Sequence, residues 1–151
     1  MTLFEISLPE VAKEEAEKEL KALIAGMEQF YQGMLSVADK KERDAYFTVE
    51  IANANGSDEV IFYVSVPTSK KALFEKQSKS LFHNAKVREV KAAYNIFNEK
   101  GFSLGSVATL SKNPIYPLKL YEEFQVDPLN VILHGFSKIE REGEGAAIQI
   151  V

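Results

Sequence analysis

The 151-residue chain has no cysteine and no tryptophan, and it carries only two histidines and five prolines. Without cysteine there are no disulfides, no thiolate metal sites and no cysteine nucleophile, and such a chain suits a reducing compartment. A cytoplasmic protein is expected. No run approaches the roughly 20 consecutive apolar residues of a membrane-spanning helix. The first residues, Met-Thr-Leu-Phe-Glu-Ile-Ser-Leu, lack the basic head and long apolar centre of a signal peptide, because Glu5 falls inside that centre. Direct membrane insertion is therefore not expected. The formal net charge of −4 and the pI near 5.3 argue against nucleic acid as a partner, since phosphate binding draws on clustered Lys and Arg.

The usual traces of catalysis are missing as well. No G-x-x-x-x-G-K-[ST] is present, and the segment Gly101 to Gly105 has neither the spacing nor the lysine that cradles phosphates. No serine stands in a G-x-S-x-G elbow. His83 and His134 each lack a partner at metal-ligand spacing, so both read as helix-end or surface residues. The carboxylates Glu122 and Glu123, and Glu140, Glu142 and Glu144 around Gly143 and Gly145, read as solvated loops and not as an acid–base pair. No catalytic residue, cofactor site or metal site is expected, and the segment is read as not an enzyme.

What the chain does have is a hairpin. Phe47, Val49 and Ile51 alternate with Tyr46, Thr48 and Glu50, and Val60, Phe62, Val64 and Val66 alternate with Ile61, Tyr63 and Ser65, the period of two of a half-buried strand. Asn55-Gly56 between them supplies the turn, in a linker long enough to carry a bulge. By parity Phe62 is expected to be buried. An RNA-binding sheet would need a basic, glycine-containing aromatic strand at this place; the run from Val60 to Val66 has no Arg, Lys or Gly, so Phe62 and Tyr63 are assigned to packing.

Before the hairpin, Phe4, Ile6 and Leu8 mark a first strand that Pro9 ends. Ala16, Leu20, Leu23, Met27, Phe30, Tyr31 and Met34 then recur three and four apart, predicting an amphipathic helix of about two dozen residues from Glu10. Gly26 and Gly33 inside it suggest a close approach to the sheet or a bend. After Pro67, Thr68 or Ser69 is placed to cap a second helix running to about Phe82 with Leu73, Phe74 and Leu81 inward, and Asn84 is placed to stop it. Residues 85–90 form a strand in which Val87 and Val90 have opposite parity, as an edge strand tolerates unless a bulge intervenes.

This order is the β-α-β-β-α-β arrangement of ferredoxin-like folds, an α+β class with an antiparallel sheet and both helices on one face. Residues 1–90 form that unit, and residues 91–151 form a β-loop-α-β extension packed on the same compact domain. In the extension, residues 91–100 fit either a helix, with Val90, Ala93, Tyr94 and Phe97 in step, or an extended segment turning at Asn98 to Gly101; the extended reading is favoured. Residues 102–110 are expected to be a strand with Leu104, Ala108 and Leu110 on one face. Asp127-Pro128 is the clearest helix start in the chain, with Leu129, Ile132, Leu133, Phe136 and Ile139 on one stripe closed by residues 140–145. The apolar run 146–151 reads as a last strand that needs a neighbour, and it suggests a domain cut from a longer chain.

Three stretches together resemble a known family: Glu59-Val-Ile-Phe-Tyr-Val-Ser-Val-Pro67, Ile115-Tyr-Pro-Leu-Lys-Leu-Tyr-Glu-Glu-Phe124, and Asp127-Pro-Leu-Asn130 running on to Gly143-Glu-Gly-Ala-Ala-Ile-Gln-Ile-Val151. They are similar to the N-terminal, pre-ATPase region of bacterial type IV secretion or conjugative-transfer ATPases of the HerA and FtsK-like class, over most of the chain. In that family a P-loop motor follows this region. The present chain departs from the family by lacking the motor, so no nucleotide-binding residue is carried over. The resemblance implies a non-catalytic α+β module that helps an ATPase assemble and dock at a secretion channel, at the inner face of the membrane through its protein partners. These partners are the ATPase body, channel subunits or further copies of the chain. A reading from another class is a free-standing ferredoxin-like regulatory module that dimerises through its sheet and binds a small metabolite.

The loop approaching the last helix carries Leu118, Leu120, Tyr121 and Phe124, more apolar surface than a connection ordinarily holds. These four residues are the candidate protein-docking strip, with extension of the core as the plainer assignment.

Overall fold

The computed structural model describes residues 1–7, 16–35, 46–91, 94–113, 115–117, 123, 128–140 and 142–151. Strands β1 (Thr2–Ser7), β2 (Thr48–Asn53), β3 (Val60–Val66), β4 (Lys86–Val90) and β5 (Ala146–Ile150) form one antiparallel sheet in the order β4-β1-β3-β2-β5. Helices α1 (Ala16–Met34), α2 (Lys71–Leu81) and α3 (Pro128–Phe136) complete an α+β architecture. The expected α+β class is found. The sheet has one strand more than a four-stranded ferredoxin-like unit, because β5 adds beside β2, and its strand order differs to that extent.

The chain divides into two compact units. One comprises Met1–Ala52, Ile61–Tyr94 and Ala147–Val151, and the other comprises Asn53–Val60 and Asn95–Ala146. In the first unit, strand alternation decides the faces. β1 runs antiparallel to β3 with Phe4 opposite Val64 and Thr2 opposite Val66, so Phe4, Val64 and Val66 share one face. α1 brings Phe30 and Met34, four residues apart and so on one helix face, and α2 brings Phe74; these six side chains form the buried core. The Phe4 and Phe74 ring centroids lie 4.6 Å apart, and Phe30 stands edge-on to Phe74 and Phe47 at 5.9 and 6.2 Å. Offset and edge-on pairs of this kind add to the burial term through the ring quadrupole.

Several expectations need correction. Phe62 is on the expected face, opposite Ile6 near the start of β3, but is only half-buried, whereas Val64 and Val66 on the same face are in the buried core that α1 and α2 complete. α2 is not capped by a hydroxyl. Thr68–Lys70 forms a 3-10 turn first, no side chain caps either element, and the Thr68 hydroxyl accepts a bond from Thr2 Oγ1 instead. The helix runs to Leu81 with Phe82 at its C-cap, as expected for an end at about Phe82, and Asn84 lies in the turn beyond it. Gly26 and Gly33 let α1 approach α2 and the residue after it, not the sheet: a Cβ at Gly33 would stand 2.8 Å from Gln77 Nε2, and one at Gly26 3.3 Å from Phe82 Cε1. β4 pairs with β1 in unbroken register from Leu3–Val90 to Ser7–Lys86, so Val87 and Val90 do face opposite sides of this edge strand.

In the second unit, the Asn55-Gly56 turn is made. Ser57 N–H donates to the Ala54 carbonyl at 3.0 Å, and Gly56 has a φ of +87°, a conformation that side chains disfavour. Asn53 pins the loop from inside by donating to the carbonyls of Ser57 and Glu59 at 3.0 and 3.1 Å. The described residues of 91–100 form neither helix nor strand and turn at Asn98, whose carbonyl accepts from Gly101 N–H. Residues 102–110, however, are not a strand and are exposed throughout. Alternation specifies a strand only when a neighbouring edge supplies hydrogen bonds and a face to bury, and among the described residues nothing supplies either to 102–110. α3 begins at Pro128, at the first helical position as expected; Asp127 lies outside the described residues. The helix stops at Phe136 and passes through turns to Ile139, with Phe136 buried, Leu133 and Ile139 half-buried, and Leu129 and Ile132 at the surface.

Candidate functional site

The face of the sheet away from α1 and α2 is polar and, at its centre, buried. β2 places Thr48, Glu50 and Ala52 there, and β3 places Tyr63 and Ser65. Glu50 is 5% exposed. A carboxylate so far from water is tolerable only if donors replace its hydration, and four do. Thr48 Oγ1 donates to Oε1 at 2.6 Å, Gln149 Nε2 of β5 at 3.0 Å and Ser65 Oγ at 3.4 Å, while the Tyr94 hydroxyl donates to Oε2. Tyr94 stacks flat on Tyr63, with centroids 4.5 Å apart and planes within 18°.

Burial pushes the Glu50 carboxyl up, and the bonds from Thr48, Tyr94, Gln149 and Ser65 outweigh it, holding the group below the ordinary carboxylate value. Tyr94 is pushed up in turn, by burial and by its bond to Glu50. A general base works best near the operating pH with a free lone pair. Glu50 is held away from that range and is engaged at both oxygens, and its geometry is that of a structural carboxylate tying β5 and residue 94 to the sheet centre.

The pH dependence follows from the direction of the shift. The folded value lies below the unfolded one, so the Glu50 contribution is complete above the unfolded glutamate value of about 4.3 and is lost as pH falls through the lower folded value. Urea midpoints measured downward from neutral pH are therefore expected to fall in acid. Glu50→Gln is expected to flatten part of that fall, and parallel acid profiles for the two proteins would show that other carboxylates account for it.

Sequence alternation placed Glu50 on the outward side of a half-buried strand and gave no sign that this side is buried as well. The signal was the quality of the opposite face: Thr48, Ala52, Tyr63 and Ser65 are small or aromatic where a solvated face would carry Lys and Glu.

The second feature, in the other unit, is apolar and exposed. Phe102, Leu104 and Val107 are 90%, 92% and 90% exposed, and Leu110, Ile115 and Tyr116 also face solvent. Monomeric proteins seldom leave so long an apolar stretch uncovered without a use for it. Leu118, Leu120, Tyr121 and Phe124 of the expected docking strip lie outside the described residues, so the exposed apolar surface that can be placed stands just before that strip. A cleft of about 390 Å³ in the same unit is walled by Phe97, Phe102, Leu104 and Ile139. Two of its polar side chains are engaged: Asn98 Nδ2 donates to the Gly143 carbonyl at 3.2 Å, and Glu144 Oε2 accepts from Glu140 N–H at 2.9 Å. His83 and His134 are exposed, as are Glu123, Glu140, Glu142 and Glu144. Among the described residues no group of three His, Asp or Glu side chains is placed to hold a metal ion, and no helix is long and apolar enough to cross a membrane.

Comparison with curated proteins and with solved structures returned no match. The model of one family, the Domain of unknown function (DUF8128), matches residues 10–151, and the chain belongs to that family.

Proposed function

We propose that this chain is a non-catalytic assembly and docking module of a bacterial type IV secretion or conjugative-transfer ATPase, built on a ferredoxin-like unit. The order β4-β1-β3-β2 within the sheet, with β1 antiparallel to both of its neighbours, supports the ferredoxin-like part of the reading. The observation that carries the docking part is the uncovered apolar run at Phe102, Leu104, Val107 and Leu110. Apolar side chains held in water at this density gain free energy when a partner covers them, at roughly 25 cal/mol per Å² of apolar surface removed from water. In this reading the module works in the cytoplasm, reaches the inner face of the membrane through its partners, and takes no part in nucleotide chemistry itself.

The test uses the motor segment of a conjugative-transfer ATPase encoded with the module, and the channel subunits of the same gene cluster. Calorimetric titration is expected to show binding to one of them. The triple variant Phe102→Ser, Leu104→Ser, Val107→Ser is expected to weaken that binding at least about tenfold, near 1.4 kcal/mol, with an unchanged thermal midpoint. Absence of binding to all of them overturns the reading. The module alone is expected to give no heat with Mg-ATP, and stoichiometric micromolar binding would contradict its non-catalytic assignment.

A further inference from the structure

The two edge strands of the sheet are built in opposite ways. β4 reads Lys-Val-Arg-Glu-Val, three charges in five residues, which is how natural sheets keep an edge from accepting another strand. β5 reads Ala-Ala-Ile-Gln-Ile, with no charge and no proline, and its Ile148 and Ile150 are exposed. Among the described residues no strand lies on the side of β5 away from β2. Its outward N–H and C=O groups are a template for one more strand.

A fitting strand is present in the same sequence. Residues 101–110, Gly-Phe-Ser-Leu-Gly-Ser-Val-Ala-Thr-Leu, carry no charge and no proline, and Phe102, Leu104, Ala108 and Leu110 alternate with Val107 and Thr109. That is strand patterning, yet the segment belongs to no strand and is exposed from end to end. An uncharged, exposed segment with strand alternation that lies in no helix and no ladder is suited to pair with a sheet elsewhere. We infer that residues 102–110 are a β-arm that adds to the free edge of β5 in a second copy of this chain. Pairing with β4 instead would set the arm's apolar side chains beside Lys86, Arg88 and Glu89, whereas β5 offers Ile148 and Ile150. The contact joins different patches on the two copies, so it gives a reciprocal dimer or a ring where it closes and an open filament where it does not. The inference rests on the reading of 102–110 as a docking segment and names its occupant.

Sedimentation velocity of the intact chain is expected to show self-association that rises with concentration. Val107→Pro removes an N–H from the middle of the arm while leaving most of its apolar surface, and it is expected to weaken association at least about tenfold. Its thermal midpoint should not change. Ile148→Lys, which charges the edge, is expected to weaken association similarly. Because the chain has no cysteine, a Ser106→Cys chain mixed with an Ile148→Cys chain offers only the two introduced thiols to a short bis-maleimide, and a product holding one of each is expected. A chain that is monomeric at every concentration, association indifferent to both Val107→Pro and Ile148→Lys, or a link formed only within a chain carrying both cysteines overturns the inference. A monomeric chain that still binds the motor through Phe102 and Leu104 overturns the inference and leaves the docking function standing. Association through the arm with no motor or channel binding does the reverse.

Discussion

Phe74→Ala is expected to cost roughly 3–5 kcal/mol, the range for deleting a buried phenyl ring, out of a total that for a domain of this size is about 5–15 kcal/mol. The ring of Phe74 is fully buried, lies 4.6 Å from Phe4 and takes the edge of Phe30, so it joins β1, α1 and α2 at one point. Its removal leaves a cavity between elements that are already closely placed, because Gln77, one turn further along α2, meets the bare backbone of Gly33. With little room for α2 to settle inward, the site keeps most of the void, and the cost belongs to the upper part of the range. Denaturant unfolding followed by circular dichroism measures it. Phe62→Ala, at a half-buried position on β3, is expected to cost less than Phe74→Ala, and the reverse order would show that the core is not centred on Phe74.

Glu50→Ala is expected to cost about 3 kcal/mol, for a different reason. Little apolar surface is lost, but Thr48, Ser65, Tyr94 and Gln149 lose their common acceptor. Each buried donor left without a partner costs about 1–3 kcal/mol, less where the group can turn to water. Ser65 and Gln149 have more freedom to turn than Thr48, so the sum is not simply fourfold. Glu50→Gln keeps the shape but turns an amide N–H₂ toward at least one donor, and it should fall between the wild type and Glu50→Ala. Equilibrium unfolding of the two variants, compared with a Thr48→Val, Glu50→Leu pair, checks the mechanism. If the apolar pair is as costly as Glu50→Ala alone, the loss comes from packing and not from orphaned donors.

Much of the first unit was legible in the sequence because periodicity and burial agree there. Phe4, Val64 and Val66 alternate, Phe30 and Met34 sit four apart, and each ends in the core. The Asn55-Gly56 turn was legible for a stereochemical reason, since Gly56 needs positive φ. Residues 102–110 were misread because their alternation is real while their ladder partner is not in the structure; patterning reports what a segment can pair with, not whether the pairing is made. Glu50 was placed on the correct side of β2 and given the wrong environment. A single strand shows which residues share a face, but whether that face is buried depends on elements distant in sequence, here Tyr94 and a fifth strand bearing Gln149. The fifth strand itself was expected, and its seat beside β2 was not, since a short uncharged strand such as Ala146–Ile150 carries no mark of which edge it joins.

The seat of β5 beside β2 has a bearing on how the protein meets a protease. Lys100 and Lys112 bracket the exposed segment, both lie at the surface, and neither is followed by proline, so trypsin has two open sites there, outside the sheet. A cut at either site severs the chain between β4 and β5. It does not remove β5 from its place, because the strand is bound to β2 through hydrogen bonds and to Glu50 through Gln149. The nicked molecule is thus expected to migrate as one under native conditions and as two pieces in detergent, with the C-terminal piece retained as a strand complement.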